Sequence, residues 1–395
     1  MSEWKEFKFS DFVEINPTVS MKGTELYSFV EMKDLQDGNK FCFPSAERNP
    51  SSGARFKEGD TLFARITPCL ENGKICKVKG LKNGIGFGST EFLVFRGKEN
   101  VSDNEFVFYL SRWDEVRGYA ESRFEGTSGR QRVPKNCFDN LFLNLPPLPE
   151  QTAIAEVLSS LDDKIDLLHR QNKTLELLAE TLFRQWFVEG NISTELIELG
   201  SLVNTINGVS YKSTELNSST TAMVSLKSFD RNGGFRIDGF KEFTGKYKEQ
   251  QTVKEGDLVV AHTDITQDAE VIGNPALVIS NPKYTTMVIS MDMVKVIPKV
   301  DWISIEFLYF LMRTREFKGH CEGNANGSTV LHLSKQAIPT FEFKTPKREK
   351  VIEFTRQSKE LLSKTFENHR QIRTLTQLRD TLLPKLMSGE VKINV

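Results

Sequence analysis

The segment Arg123-Phe-Glu-Gly-Thr-Ser-Gly-Arg-Gln-Arg-Val-Pro-Lys135 packs four basic side chains and one acid into thirteen residues. Gly126 and Gly129 permit close backbone approach. The hydroxyls of Thr127 and Ser128 suit phosphate oxygens, and Arg130, Gln131 and Arg132 can form paired hydrogen bonds with base edges. About two hundred residues later, Gly323-Asn-Ala-Asn-Gly-Ser-Thr-Val-Leu-His332 stands in the matching place and offers Asn326, Ser328, Thr329 and His332. Two further segments each follow a Gly-Asp pair: one carries Arg65, Thr67, Asn72 and Lys74, the other His262, Thr263 and Gln267. Dissimilar polar side chains at matched places are what two readers of different base sequences require. The plain alternative for each segment is a solvated surface loop.

Other chemistry is missing. No G-x-x-x-x-G-K-[ST] phosphate loop occurs, and Asn16-Pro, Asn49-Pro, Asn274-Pro and Asn281-Pro do not continue into the Asn-Pro-Pro-aromatic signature of base amino-methylation. Gly84-Ile-Gly-Phe-Gly88 lacks a strand–turn–helix context and reads as a turn. The five histidines form no H-E-x-x-H; His320-Cys321-Glu322 are adjacent, and neighbours in sequence seldom converge on one ion. Five cysteines without C-x-x-C disfavour zinc and disulfides and fit a reducing, cytoplasmic setting. No catalytic or metal site is expected, so the chain does not read as an enzyme in its own right.

The elements that must position these loops repeat. Phe56–Thr67 resembles Val253–Asp264 at an offset of 197, Glu105–Leu110 resembles Glu306–Leu311 at 201, and Arg170-Gln171 matches Arg370-Gln371 at 200. Phe12-Val13 pairs with Leu202-Val203 at 190. Ordered matches at a steady offset indicate duplication of a unit of about 200 residues. Each copy has short β-like runs, one amphipathic helix (104–120 and 304–318) whose aromatic face is core, then a Pro-bearing junction and a long helical stretch. The predicted class is α+β. Two similar mixed α/β domains (1–147 and 191–345) are joined by long helical segments (148–190 and 346–395) that form an antiparallel coiled coil with pseudo-twofold symmetry.

From Glu150 to Trp186 there is no Gly or Pro, and a heptad places Leu158, Ile165, Asn172, Ala179 and Trp186 at a, with Leu161, Leu168, Leu175 and Leu182 at d. Asn172 reads as a register-fixing residue. The second helix, about 347–383, keeps the phase with Leu361, Ile372, Leu375, Leu382 and Leu386, while Ser358, Thr365, Asn368 and Arg379 weaken its seam and Pro384 ends or kinks it. Each helix of about 37 residues would span about 55 Å, enough to act as a rigid spacer between two readers.

Net charge is −1 over 395 residues, which alone argues against a polybasic nucleic-acid binder. By segment, residues 1–145 carry 21 basic and 21 acidic side chains, 146–190 carry 4 and 8, 191–345 carry 16 and 18, and 346–395 carry 11 and 6. The balance is thus an acidic helix against a basic one, and the two should attract. No apolar run approaches the length of a membrane span, and the start lacks an apolar signal region.

Leu145-Pro-Pro-Leu-Pro-Glu-Gln-Thr-Ala-Ile-Ala-Glu-Val-Leu-Ser-Ser-Leu-Asp-Asp-Lys-Ile-Asp-Leu167, Leu182–Val188 and Leu378–Glu390 closely resemble the specificity subunits of Type I restriction-modification systems, and the two-copy layout resembles theirs over essentially the whole chain. In the second copy the first block has decayed to Thr345-Pro-Lys-Arg-Glu. The resemblance implies two target recognition domains, each reading half of a bipartite sequence in double-stranded DNA across a gap set by the helices. It implies docking of two modification (methyltransferase) subunits, which bring S-adenosylmethionine, and of restriction (translocase/nuclease) subunits, which bring ATP and Mg, with no cofactor in this chain. The alternative is a coiled-coil adaptor that binds proteins only.

Overall fold

The computed structural model describes residues 4–22, 25–127, 129–190, 194–230, 233–265 and 268–393. The helices used below are α1 (Asn104–Arg112), α2 (Asp114–Glu121), α3 (Leu148–Phe183), α4 (Ile305–Met312), α5 (Arg315–Gly323) and α6 (Arg348–Met387). The chain divides into two compact units: residues 1–170 with 370–395, and residues 171–369. Among the described residues no helix is long and apolar enough to cross a membrane.

In the first unit, a five-stranded sheet runs in the order Val13–Ile15, Phe92–Gly97, Thr61–Ala64, Ile75–Val78, Phe41–Cys42. A four-stranded sheet orders Ala46–Arg48, Tyr27–Val30, Ile85–Gly88, Ala54–Lys57, and Lys5–Lys8 pairs with Phe142–Leu145. The second unit repeats this plan. Val203–Asn207, Met293–Pro298, Leu258–Ala261 and Pro275–Leu277 form one sheet; Lys241–Glu242, Thr221–Val224, Thr286–Ile289 and Thr252–Val253 form another; Leu196–Glu198 pairs with Glu342–Lys344. The same internal pair is parallel in the two four-stranded sheets that correspond, Tyr27–Val30 with Ile85–Gly88 and Thr221–Val224 with Thr286–Ile289.

The repeated Lys-Glu-Gly-Asp has a structural explanation. Gly59 and Gly256 turn the chain at φ +82° and +87°, a region that favours glycine. The following aspartate then accepts the backbone N–H three residues back, Lys57 to Asp60 at 2.7 Å and Lys254 to Asp257 at 2.9 Å. Each also holds a cation: Arg96 grips Asp60 through two bonds of 2.7 Å, and Lys295 reaches Asp257 at 2.8 Å.

Three expectations change. The helix expected over 104–120 breaks at Trp113, whose ψ of 137° is extended, and resumes as α2. That over 304–318 breaks likewise, with the Thr314 hydroxyl accepting from Phe317 N to start α5. Each break lets the second helix aim its own apolar residues, Val116 and Ala120 or Phe317 and Cys321, into the core. Only the start of Gly84–Gly88 is a turn, with Gly84 at φ +69°; Ile85–Gly88 is an internal strand, and a side chain at Gly88 would meet the Val30 carbonyl oxygen at 2.4 Å. Pro384 does not end α6, which continues one turn to bury Leu386 and Met387 in the first unit's core.

Within each unit the long helices run antiparallel. In the first, Ile154, Ala155 and Leu158 of α3 share a core with Leu382, Leu383, Leu386 and Met387 of α6. In the second, Ala179 and Phe183 of α3 pack with Val351, Phe354 and Leu362 of α6. Leu158, Ile165 and Leu168 are buried, whereas Leu161, Leu175, Leu182, Leu361, Ile372, Leu375 and Leu382 are half-buried. The polar residues expected to weaken the α6 seam lie inside it. Ser358, Asn368 and Arg379 are buried, and each has a hydrogen-bond partner.

The domains grip these helices differently. In the first unit Glu105 accepts from Lys77 at 2.5 Å and lies 3.4 Å from Lys40, which also bonds Asp163 at 3.0 Å. Burial pushes the Glu105 carboxyl up, but Lys77 and Lys40 outweigh it and hold it below the usual carboxylate range. In the second unit Phe183, Phe187, Phe307, Phe310 and Phe354 form an aromatic cluster. Beside it, Tyr309 donates to Glu176, and Arg313 bonds Glu176 and Glu180.

Candidate nucleic-acid interface

The structure joins the two candidate segments of the first unit. Ile66 bridges Arg132, and Arg132 also pairs with Glu125 in both directions at 2.8 and 3.0 Å. Thr67 N donates to the Gln131 carbonyl and Gln131 N donates to the Thr67 hydroxyl, each at 3.0 Å. Val133 N completes the seam on the Arg65 carbonyl at 2.7 Å. Gly126 and Gly129 take φ +112° and +80°, so both turn in the left-handed region.

This geometry sorts the candidate residues. Thr67 is buried and its hydroxyl is committed to Gln131, so it shapes the rim. Lys74 is turned inward, its ammonium 2.8 Å from the Met32 carbonyl. Arg130 and Asn72 are exposed, and neither side chain has a hydrogen bond among the described residues. Arg132 is exposed but steadied by Glu91 at 2.9 Å. The Arg65 Nε is buried without a hydrogen-bond partner there. Thr127 is exposed and Gln131 half-buried. Beside the rim lies a groove of about 360 Å³ whose lining includes Asn16, Thr18, Arg55, Thr90 and Lys135 and no carboxylate.

The second unit builds the same rim. Thr263 and Asp264 pair with His332 and Leu331, and Ala325 and Asn326 pair with Leu333 and His332, giving a three-stranded sheet. Leu333 N donates to the His262 carbonyl at 2.8 Å, as Val133 does to Arg65. Thr263 is buried, with its hydroxyl 3.5 Å from His332 Nδ1. Burial, with His332 and Lys335 nearby, holds His262 below the usual imidazole range. Asn326, Ser328, Thr329 and His332 are exposed. Ser128 and Gln267 lie outside the described residues.

Sequence reasoning missed three contributors. Glu91 and Asp292 occupy matched places: their carbonyls receive Arg65 N at 2.9 Å and His262 N at 2.8 Å. Ile265 is 75% exposed on the second rim; nothing in its type distinguishes it from a core residue. Among the described residues no three His, Cys, Asp or Glu side chains cluster to hold a metal. His320 Nε2 is instead 2.8 Å from the Ala337 carbonyl, and Cys321 is buried.

Two copies of one α/β unit, each with a long-helix pair and a polar rim, define a duplicated recognition scaffold. The comparisons agree. Residues 1–177 match the family model for the Type I restriction modification DNA specificity domain. The chain is 26% identical over 472 aligned residues to the Type I restriction enzyme HindI specificity subunit of Haemophilus influenzae, covering 99% of this chain and all of that one. It is 31% identical over 188 residues to the EcoAI specificity subunit of Escherichia coli, covering 45% and 32%. The crystal structure of the Type I restriction-modification S subunit from M. genitalium superposes with a TM-score of 0.56 at 15% identity, covering 98% and 96%; that likeness concerns the fold. The specificity-domain match thus covers the first unit's domain and most of α3, and the likeness to the HindI specificity subunit extends over nearly the whole chain.

Proposed function

We propose that this chain is the DNA-reading subunit of a Type I restriction-modification complex, with the rim of each unit reading one half of a bipartite duplex target. The observation that carries the reading is the repeated rim. In both units, segments more than sixty residues apart are joined by equivalent pairings, Ile66 with Arg132 and Thr263 with His332. The exposed side chains on the two rims then differ.

In the first unit Arg130 and Arg132 suit base edges that present two acceptors, as guanine does. Arg55 and Lys135 in the adjoining groove suit the phosphate backbone, which positions without selecting. In the second unit Asn326 and His332 supply mixed donors and acceptors, and Ile265 offers an apolar contact of the kind a thymine methyl accepts. The helices set the gap between the half-sites and dock two modification subunits. Those partners bring S-adenosylmethionine, and restriction subunits bring ATP and Mg; the chain itself carries out no chemistry and works in the cytoplasm. Its near-neutral charge leaves most non-specific phosphate attraction to the partners.

Sequencing of methylated bases in DNA from cells carrying this chain with its modification partner tests the reading. A bipartite methylated motif is expected. Binding of all duplexes alike by the assembled complex would instead favour the protein-only adaptor.

A further inference from the structure

The long-helix seams of the two units have different polar chemistry. In the first unit Arg379 donates to Asp162 at 2.6 Å, with side chains only 3% and 2% exposed. The Tyr109 hydroxyl donates to the same aspartate, and Arg379 reaches the Gly38 carbonyl. In the second unit the Asn368 amide donates to Asn172 Oδ1 at 2.8 Å, and both residues are buried.

The 200-residue repeat says what stands at the matching place in the other unit. Asp162 corresponds to Leu362 and Arg379 to Ala179, both in the second unit's core. Asn172 corresponds to Ile372 and Asn368 to Leu168, both in the first unit. At all four places a polar residue in one copy is apolar in the other.

This reciprocity bears on how duplicated antiparallel helices choose partners. By heptad pattern α3 could pair with α6, with α3 of a second copy, or α6 with α6 of a second copy. The leucines suit all three. Between two α3 helices, the same antiparallel register would set Asp162 against Ala179 and Asn172 against Leu168. Between two α6 helices it would set Arg379 against Leu362 and Asn368 against Ile372. Each like-with-like pair would therefore bury a charge and an amide without partners, twice over by symmetry, and a buried polar group left unmatched is strongly disfavoured. Only α3 with α6 gives each of the four groups a polar partner, although the single amide bond leaves Asn172 Nδ2 and Asn368 Oδ1 buried without one of their own among the described residues.

We propose that Asp162–Arg379 and Asn172–Asn368 form a pairing code that excludes like-with-like association between copies of this chain. The code selects more than it holds. A buried ion pair can often be replaced by packed apolar groups without loss of stability, and a buried seam asparagine fixes partner choice at some cost in stability.

The test uses two full-length copies carrying different affinity tags and different nitrogen isotopes, co-expressed and purified at high salt so that exposed charges are screened. One set is native. The other carries Asp162→Leu, Arg379→Ala, Asn172→Ile and Asn368→Leu, each substitution taken from the matching place in the other unit. The variant should fold with a melting temperature at or near the native value and give at least tenfold more mixed-tag protein. It should also show inter-copy cross-links between Lys164 and Lys173, which an α3–α3 pair brings together. A variant as exclusive as the native chain would overturn the code, and so would one that no longer folds, since the pairs would then be adhesives. Asp162→Arg with Arg379→Asp keeps a matched pair and should exclude mixed species as the native chain does; mixing at the quadruple variant's level would also overturn the proposal.

Discussion

The two rims are built on the same backbone plan and carry different chemistry, one cationic and the other uncharged polar with an apolar tip. The first exposes Arg130 and Arg132 next to a groove lined by Arg55 and Lys135. The second exposes Asn326, Ser328, Thr329 and His332 with Ile265 beside them. What stays constant is the hydrogen-bonded frame: the Gly-Asp turn, the bond from Val133 or Leu333 to the residue after the central strand, and the matched carbonyls of Glu91 and Asp292. Selectivity can therefore diverge at the tips without disturbing the frame, because the varied side chains contribute little to the core.

The largest effect should come from breaking the shared frame. Asp60→Ala strands Arg96 and the Lys57 N–H, and should cost about 3–5 kcal/mol of unfolding free energy; Asp257→Ala should cost a similar amount in the second unit. A denaturant titration in which only one of the two destabilised its unit would break the equivalence. Next, Arg130→Ala with Arg132→Ala should weaken binding by the assembled complex roughly 10- to 100-fold and relax the sequence at one half-site. It should also flatten the salt dependence, as loss of cationic contacts does. Equal relaxation at both half-sites would contradict the division of labour. Thr67→Val removes the hydroxyl that receives Gln131 N and should lower local stability by about 1–3 kcal/mol, seen as faster hydrogen exchange at the Gln131 amide. Ile265→Ala should cost on the order of fivefold in binding with the salt slope unchanged; a changed slope would mean the second rim also works through charge.

The smallest effect is a pH dependence. His262 is held below its ordinary value, so as the pH falls the unfolded chain takes up that proton first. Its contribution to stability is therefore lost as the pH drops through about 6.5. Glu105 is depressed, so its contribution is present above about 4.5 and is lost in more acid solution. His262→Gln should remove the first component of the melting profile and leave the second.

Much of this was legible in the sequence because duplication supplies an internal control. Phe56–Thr67 and Val253–Asp264 match, and the strands within them occupy equivalent places in their sheets. The same equivalence placed the two loops of each rim in corresponding positions. Packing was harder to read. A strict 3.5-residue period marks a and d, while the structure also buries Asp162 and Phe183, since a helix of 3.6 residues per turn drifts off a heptad stripe. Asn368 and Arg379 read as flaws because their partners lie nearly two hundred residues or more away in sequence. The helix break at Trp113 left no Gly or Pro to announce it, and Pro384, which did announce a stop, is overruled by the burial of Leu386 and Met387. Ile265 was invisible because exposure is a property of the folded surface.

The division of the chain has a consequence for its synthesis. The second unit is contiguous, residues 171–369, whereas the first needs residues 370–395 to complete the seam against residues 148–170. On the ribosome the earlier-made domain must therefore wait for about 200 further residues, roughly 10–40 s at ordinary elongation rates. During that interval Leu158, Asp162 and Leu168 have no partner helix. The unit begun second is the first whose parts have all been made, so a growing chain passes through a stage in which half of its seam is open to whatever helix it meets.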